Sequence, residues 1–214
     1  VWDATRLSLQ VLAVAVPAIF VIGLALGVLF ARRTFRGQAI AETMVMLPLV
    51  LPPSVIGYGL LRLLGRDGPI QDSIGINLLF TWQAAAIASA VVALPLMVQA
   101  AKVGIAGVDP SIEEAARVDG ATTWRVLATM TIPLARRGIF VGLALGTARA
   151  LGEFGATLAV AGSMPGRTQT LPLAVYDAMQ RSDYTLANQI ALVMVVIGYV
   201  TIWLTRRLES AEQE

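Results

Sequence analysis

The chain is 214 residues long, 57% hydrophobic and only 14% charged, with a mean hydropathy of +0.73 and a formal net charge of +2. A soluble domain carries about 25% charged residues, so the composition excludes a soluble globular domain, and so small a net charge excludes a nucleic-acid patch. Cysteine and histidine are both absent, which removes disulfides, thiol chemistry, histidine proton shuttles and the commonest zinc and iron ligands.

A helix crossing the hydrocarbon core needs roughly 20 mostly apolar residues. The first stretch of that kind is predicted at about 8–31. Leu7 to Ala31 carries no charge, and Arg32, Arg33 and Arg36 follow it rather than precede it. A cleaved signal has a shorter apolar core behind its positive charge, so this stretch reads as a retained span. The second and third spans are predicted at about 40–62 and about 79–102. They hold Pro48, Pro52, Pro53 and Pro95. Proline inside a span frees carbonyls that neighbouring helices or water must satisfy; broken helices beside a pathway and plain packing kinks both fit.

The connection at about 103–137 is polar and patterned. Gly107-Val108-Asp109-Pro110 is a turn signal, and Ser111 precedes Glu114 by three residues as in a capping box. Ile112 to Val118 then reads as a short helix, with Gly120 as its stop. A second helical piece is predicted from Thr122 to Met130, broken near Pro133. A capped helix of this kind either docks into a partner's cleft or lies as an ordinary interfacial helix.

The fourth span is predicted at about 138–161. Gly138, Gly142, Gly146 and Ala150 recur every four residues, a spacing that lets helix backbones approach closely. Arg149 and Glu153 fall on the same arc and face the bundle or a second chain. Charges at that depth cost at least ~2.5–3.5 kcal/mol and usually pair or line a polar route. Either Arg149 supplies positive charge along a polar route that Glu153 tunes, or the two, one turn apart, neutralise and brace each other. The letters of Gly142 to Gly146 repeat those of Gly23 to Gly27, which reads as a shared packing motif and not as a repeat of the fold. Gly166 to Asp183 places Leu171, Val175, Ala178 and Met179 at helical spacing, as a short surface helix or a packed outer loop. The fifth span is predicted at about 187–205.

Orientation follows from the loop charges. Arg32, Arg33, Arg36, Lys102, Arg117, Arg125, Arg136, Arg137, Arg206 and Arg207 fall on one side, against Arg6, Arg62, Arg66, Arg167 and Arg181 on the other. Ten against five places the first group in the cytoplasm, the first residues outside and the last inside. The outer arginines are offset by Asp3, Asp67, Asp72, Asp177 and Asp183. The predicted fold is all-α: one polytopic membrane domain over 1–214, with five transmembrane helices and a long cytoplasmic loop.

That loop carries a resemblance. Glu114-Ala115-Ala116, three residues, Gly120, nine residues, then Met130-Thr131-Ile132-Pro133 resembles the EAA loop of bacterial ATP-binding-cassette (ABC) importer permeases. Met130 stands where that pattern has isoleucine, and Ile132 where it has leucine. The resemblance implies a type I importer permease fold in which the loop forms a coupling helix seated in a groove of the ATPase subunit. It implies ATPase-coupling roles for Glu113, Glu114, Ala115, Ala116, Asp119 and Gly120. No P-loop pattern occurs in the chain, so no catalytic or cofactor site is expected here; ATP and Mg belong to the partner ATPase.

Further segments narrow the group. Leu47 to Tyr58, Gly65 to Pro69 and Phe80 to Gln83 resemble molybdate permeases, and Ala148 to Thr157 resembles molybdate and sulfate permeases together. The implied function is molybdate import, with tungstate as a second oxyanion of nearly the same size and charge. Sulfate or thiosulfate import is the alternative, ahead of an ATP-independent transporter or channel. Pro52, Pro53, Ser54, Gly57, Arg149, Glu153 and Thr157 are the candidates for pathway or gate. The expected partners are a second copy of the chain, two ATPase subunits, a periplasmic or lipid-anchored oxyanion-binding protein and the bilayer of the bacterial cytoplasmic membrane. An intramembrane enzyme would need clustered polar groups in its spans, and only Arg149 and Glu153 lie deep.

Overall fold

The structure is a computed structural model that describes residues 1–65, 68–69, 75 and 77–210. The predicted features at Arg66, Asp67 and Asp72 lie outside the described residues, as does the side chain of Arg206. Every regular element among the described residues is helical. In chain order these are α1 (Trp2–Arg32), α2 (Gln38–Val50), α3 (Pro53–Leu64), α4 (Trp82–Ala106), α5 (Pro110–Val118), α6 (Thr123–Val126), a π-helical segment (Leu127–Thr131), α7 (Ile132–Leu151), α8 (Gly155–Ala161), α9 (Leu171–Gln180) and α10 (Tyr184–Ser210). Among the described residues four helical runs are long and apolar enough to cross a membrane, and five if α2 and α3 count as one bent span.

The centre of the bundle is α4. A helix apolar all round belongs in the interior, and α4 is the most buried of the candidate spans. Its small residues Ala84, Ala85, Ala88, Ala93 and Ala101 are sealed, and α1 and α7 pack along two of its sides. Apolar burial drives little association within lipid, so close backbone approach matters more. The two glycine motifs supply it. A Cβ on Gly23 would run into Met97, and one on Gly27 would sit 2.6 Å from Ala101 Cβ. From the other flank, a Cβ on Gly142 would sit 2.9 Å from Ala100 Cβ, and one on Gly138 2.7 Å from Gly104 Cα. The repeated letters are thus two packing faces against one central helix.

The prolines divide. Pro17, Pro48 and Pro95 ride inside helices. Pro52-Pro53 breaks the chain, so the predicted second span is two helices whose axes turn by 116°. The cause is local: a residue before proline is pushed into extended backbone, and both Leu51 (φ −73°, ψ 141°) and Pro52 (φ −54°, ψ 138°) are followed by one. Pro53 then opens α3 at a position where its missing N–H costs nothing. The predicted fourth span is likewise interrupted, with α7 ending at Leu151 and α8 starting at Gly155. The expected break near Pro133 is absent. The π-helical segment just upstream takes up the register that proline's missing donor disturbs, so the chain runs on from Thr123 to Leu151.

The segment between Gly166 and Asp183 forms a packed helix. Leu171, Leu173, Ala174 and Ala178 of α9 are buried, and Ser8 Oγ of α1 accepts a 2.8 Å hydrogen bond from the Leu171 N–H. At the opposite end Lys102 pairs with Glu42 at 2.7 Å, and Gln38 Nε2 donates to both Glu42 and the Phe30 carbonyl, joining α1, α2 and α4.

Candidate functional site

The short helix predicted before Gly120 forms, with a different cap. Asp109, not Ser111, occupies the N-cap of α5, and its Oδ1 accepts from the Ser111 N–H at 2.9 Å. That backbone hydrogen bond holds the Asp109 carboxyl below the usual carboxylate range. The C-terminal end follows the predicted stop. Gly120 has φ +88°, its N–H donates to the Arg117 carbonyl, and the Ala121 N–H donates to the Ala116 carbonyl. These two bonds are the Schellman arrangement. A Cβ on Gly120 would meet nothing within 4 Å, so the requirement for glycine is conformational, not steric.

The two adjacent glutamates of α5 do opposite things. Glu114 is exposed together with Ala115 and Asp119, and Ala116 is half-buried. Ile112 and Val118 are large apolar side chains also left exposed, which leaves a mixed surface free to meet another molecule. Glu113 points inward and is 5% exposed. Its Oε1 lies 2.7 Å from the Arg32 guanidinium at the end of α1 and accepts a 2.7 Å hydrogen bond from Thr131 Oγ1. Its Oε2 pairs with Arg117 one turn on, at 3.2 Å. Arg32 also donates to the Val108 carbonyl, at 3.3 Å. One carboxylate thus fastens α5 to α1 and to the base of α7. The i,i+4 pairing of Glu113 with Arg117 was legible as a spacing; the roles of Arg32 and Thr131 had no signal beyond a charge count.

The second predicted group is brought together where the two helix breaks meet. A Cβ on Gly155 would lie 3.0 Å from Pro53 Cβ and 3.5 Å from the Ser54 backbone nitrogen. One on Gly57 would lie 2.6 Å from Ala159 Cβ and 2.9 Å from Ala156 Cα. The start of α3 therefore presses directly on α8. Arg149 and Glu153 form an ion pair at 2.7 Å. Glu153 is 3% exposed, and its Oε1 also accepts from the Ala156 N–H at 2.8 Å, satisfying a free donor in the first turn of α8. Thr157, one turn on, is buried with no partner for its hydroxyl among the described residues. Pro52 is the N-cap of α3 and is exposed at the bend. The ring of Phe154 leans on Tyr176 at 5.0 Å, tying this junction to α9.

The two groups are connected by α7. Its 20 residues make a rod of about 30 Å, with Thr131 at its foot and the Arg149–Glu153 pair at its far end.

Comparison with known proteins gives a concordant picture. The sequence profile of the binding-protein-dependent transport system inner membrane component matches residues 23–212. The permease protein YvgM of Bacillus subtilis (strain 168) is 45% identical over 208 residues, covering 95% of this chain and 92% of that one. The molybdenum transport system permease protein ModB of Escherichia coli (strain K12) is 41% identical over 218 residues, covering 100% and 95%. The sulfate transport system permease protein CysW of Synechococcus elongatus is 35% identical over 97% of this chain and 74% of its own length. Among solved structures, a chain of the MetNI methionine ABC transporter in an inward-facing conformation superposes with a TM-score of 0.76 at 21% identity, covering 97% and 94%. A chain of a bacterial alginate ABC transporter gives 0.77 at 17% identity, covering 96% and 77%.

Proposed function

This chain belongs to the family of binding-protein-dependent transport system inner membrane components, and from that premise we propose that it is the permease subunit of an ATP-driven importer of molybdate. The observation that carries the substrate is identity of 41% over the whole chain to a molybdenum permease, against 35% for the sulfate permease. Tungstate shares molybdate's size and charge and is taken as a competing cargo.

The proposed working unit is two copies of this chain, two ATPase subunits that supply ATP and Mg, and an external oxyanion-binding protein. Five spans are few for a pathway, so a symmetric pair with the route between the copies is the economical arrangement. The arginine-rich loops face the cytoplasm and the first residues lie outside.

The geometry supports a lever. The exposed side of α5, with Glu114, Ala115 and Asp119, seats in the ATPase, while buried Glu113 makes α5 move as one body with the foot of α7 and the end of α1. Motion imposed on the loop reaches the junction of the two broken helices about 30 Å away, along one continuous helix. There Pro53, Ser54 and Gly57 press on α8, and that contact, with Pro52 at the bend and Glu153 and Thr157 at the start of α8, opens or closes the route. Arg149 is held by Glu153, which keeps its charge from gripping a dianion that has to leave.

Uptake of labelled molybdate into cells lacking their own molybdate permease, complemented with this chain and its ATPase and binding protein, tests the reading. Tungstate should compete strongly and sulfate weakly. Competition by sulfate at molybdate-like concentrations moves the assignment to the sulfate group.

A further inference from the structure

A cavity of about 430 Å³ opens between the end of α1, α5 and the segment leading into α7. Its lining is divided by chemistry. One wall is Ala25, Val28 and Leu29, on the last turns of the first candidate span. Where that span ends, Arg32, Arg33 and Arg117 line the same cavity. One carboxylate, Glu113, stands against these three guanidiniums, so two positive charges are left over. Glu113 is already occupied by Arg32, Arg117 and Thr131. The Arg33 side chain makes no ion pair or hydrogen bond among the described residues, and Arg32 Nε is buried without an acceptor. Trp124, 79% exposed, stands at the rim, and tryptophan favours the boundary between headgroups and acyl chains.

We propose that this cavity binds an anionic phospholipid of the cytoplasmic leaflet, with its phosphate against Arg32 and Arg33 and an acyl chain along Val28 and Leu29. The proposal rests on the orientation that places the arginine-rich loops inside; it does not rest on which oxyanion is carried. Basic pockets beside spanning helices at the cytoplasmic face select anionic headgroups. A free phosphate or a transported oxyanion satisfies the guanidiniums equally well but leaves the apolar wall uncovered, and that wall decides for a lipid. The site has a consequence for coupling. The arginine that holds Glu113 would also hold the lipid phosphate, so the seat of α5 depends on the leaflet beside it.

The test uses the complete complex of this chain with its ATPase, in nanodiscs of phosphatidylcholine with and without phosphatidylglycerol. Native mass spectrometry reads the phosphatidylglycerol retained on the complex. The wild type retains it. Arg33→Gln lowers the apparent affinity about fivefold, the weight of one basic side chain near an anionic surface. Arg33→Lys retains the lipid and shows that the variants assemble. Arg36→Gln, three residues on, exposed and outside the cavity lining, behaves as wild type. Three results overturn the proposal: Arg33→Gln retaining as much as wild type, Arg36→Gln losing as much as Arg33→Gln (diffuse surface attraction), or millimolar phosphate or molybdate displacing the phosphatidylglycerol (a free-anion site). Transport is not measured, so failure of the molybdate assignment leaves these outcomes unchanged.

Discussion

Thr131 Oγ1 donates a 2.7 Å hydrogen bond to Glu113 Oε1, and both side chains are buried. The acceptor lies on α5 and the donor on the last residue of the π-helical segment beneath α7, so the bond closes the loop into a unit. Glu113→Ala removes the acceptor and leaves Arg32 without its carboxylate. A loss of about 2 kcal/mol is expected, as for a hydrogen bond to a charged group, read as a lower thermal midpoint in detergent. Glu114→Ala, at an exposed position, should change stability by less than about 0.5 kcal/mol and still reduce ATPase stimulation in the assembled complex. The reverse pattern would reverse the inward and outward roles assigned to the two glutamates.

Gly120 tests conformation apart from bulk. With φ +88° and open space around it, Gly120→Ala should cost about 1–2 kcal/mol of left-handed backbone strain. Gly120→Asn should cost less, because asparagine tolerates that region. Gly120→Trp adds bulk on the docking surface and should uncouple the complex, raising the ATP hydrolysed per molybdate carried. A normal ratio with that variant would remove α5 from the coupling path.

The Arg149–Glu153 pair separates bracing from anion attraction. Each single neutralisation leaves a lone charge at depth, which costs roughly 3–5 kcal/mol for a buried pair broken on one side. Arg149→Met with Glu153→Gln should recover most of the lost expression and thermal stability. A double variant that is stable and transports with an unchanged KM identifies a brace. A stable double variant with a raised KM for molybdate gives Arg149 a part in attracting the anion.

The contact between the two breaks is tight at Gly57 and open two residues later. A Cβ at Gly57 would lie 2.9 Å from Ala156 Cα, whereas one at Gly59 meets nothing within 4 Å. Gly57→Ala should therefore cost about 1–3 kcal/mol through a forced backbone shift and slow uptake. Gly59→Ala should remain near wild type in both readings.

Much of this was legible in the sequence because it rests on local rules. Apolar length marked the spans, Gly120 as a helix stop marked the end of α5, and the four-residue spacing of Gly138, Gly142 and Gly146 marked a packing face. The features that were not legible depend on where the chain folds back. Pro48, Pro52 and Pro53 look alike in sequence, yet only the adjacent pair forces two successive extended residues and so a turn of 116°. Asp109 displaced Ser111 as the cap because Pro110 already starts the helix. Nothing near Glu113 in sequence announces that its main partner is Arg32, because that contact is made between helices and not along one.

If the proposed function holds, this chain carries molybdate only when its ATPase drives it through α5. Proteoliposomes containing the chain, its ATPase and its binding protein, given labelled molybdate with or without internal ATP, test it most directly. Accumulation should require ATP, be lost with Gly120→Trp while hydrolysis continues, and be blocked by tungstate. Accumulation without ATP, or full accumulation by the Gly120→Trp complex, would contradict it.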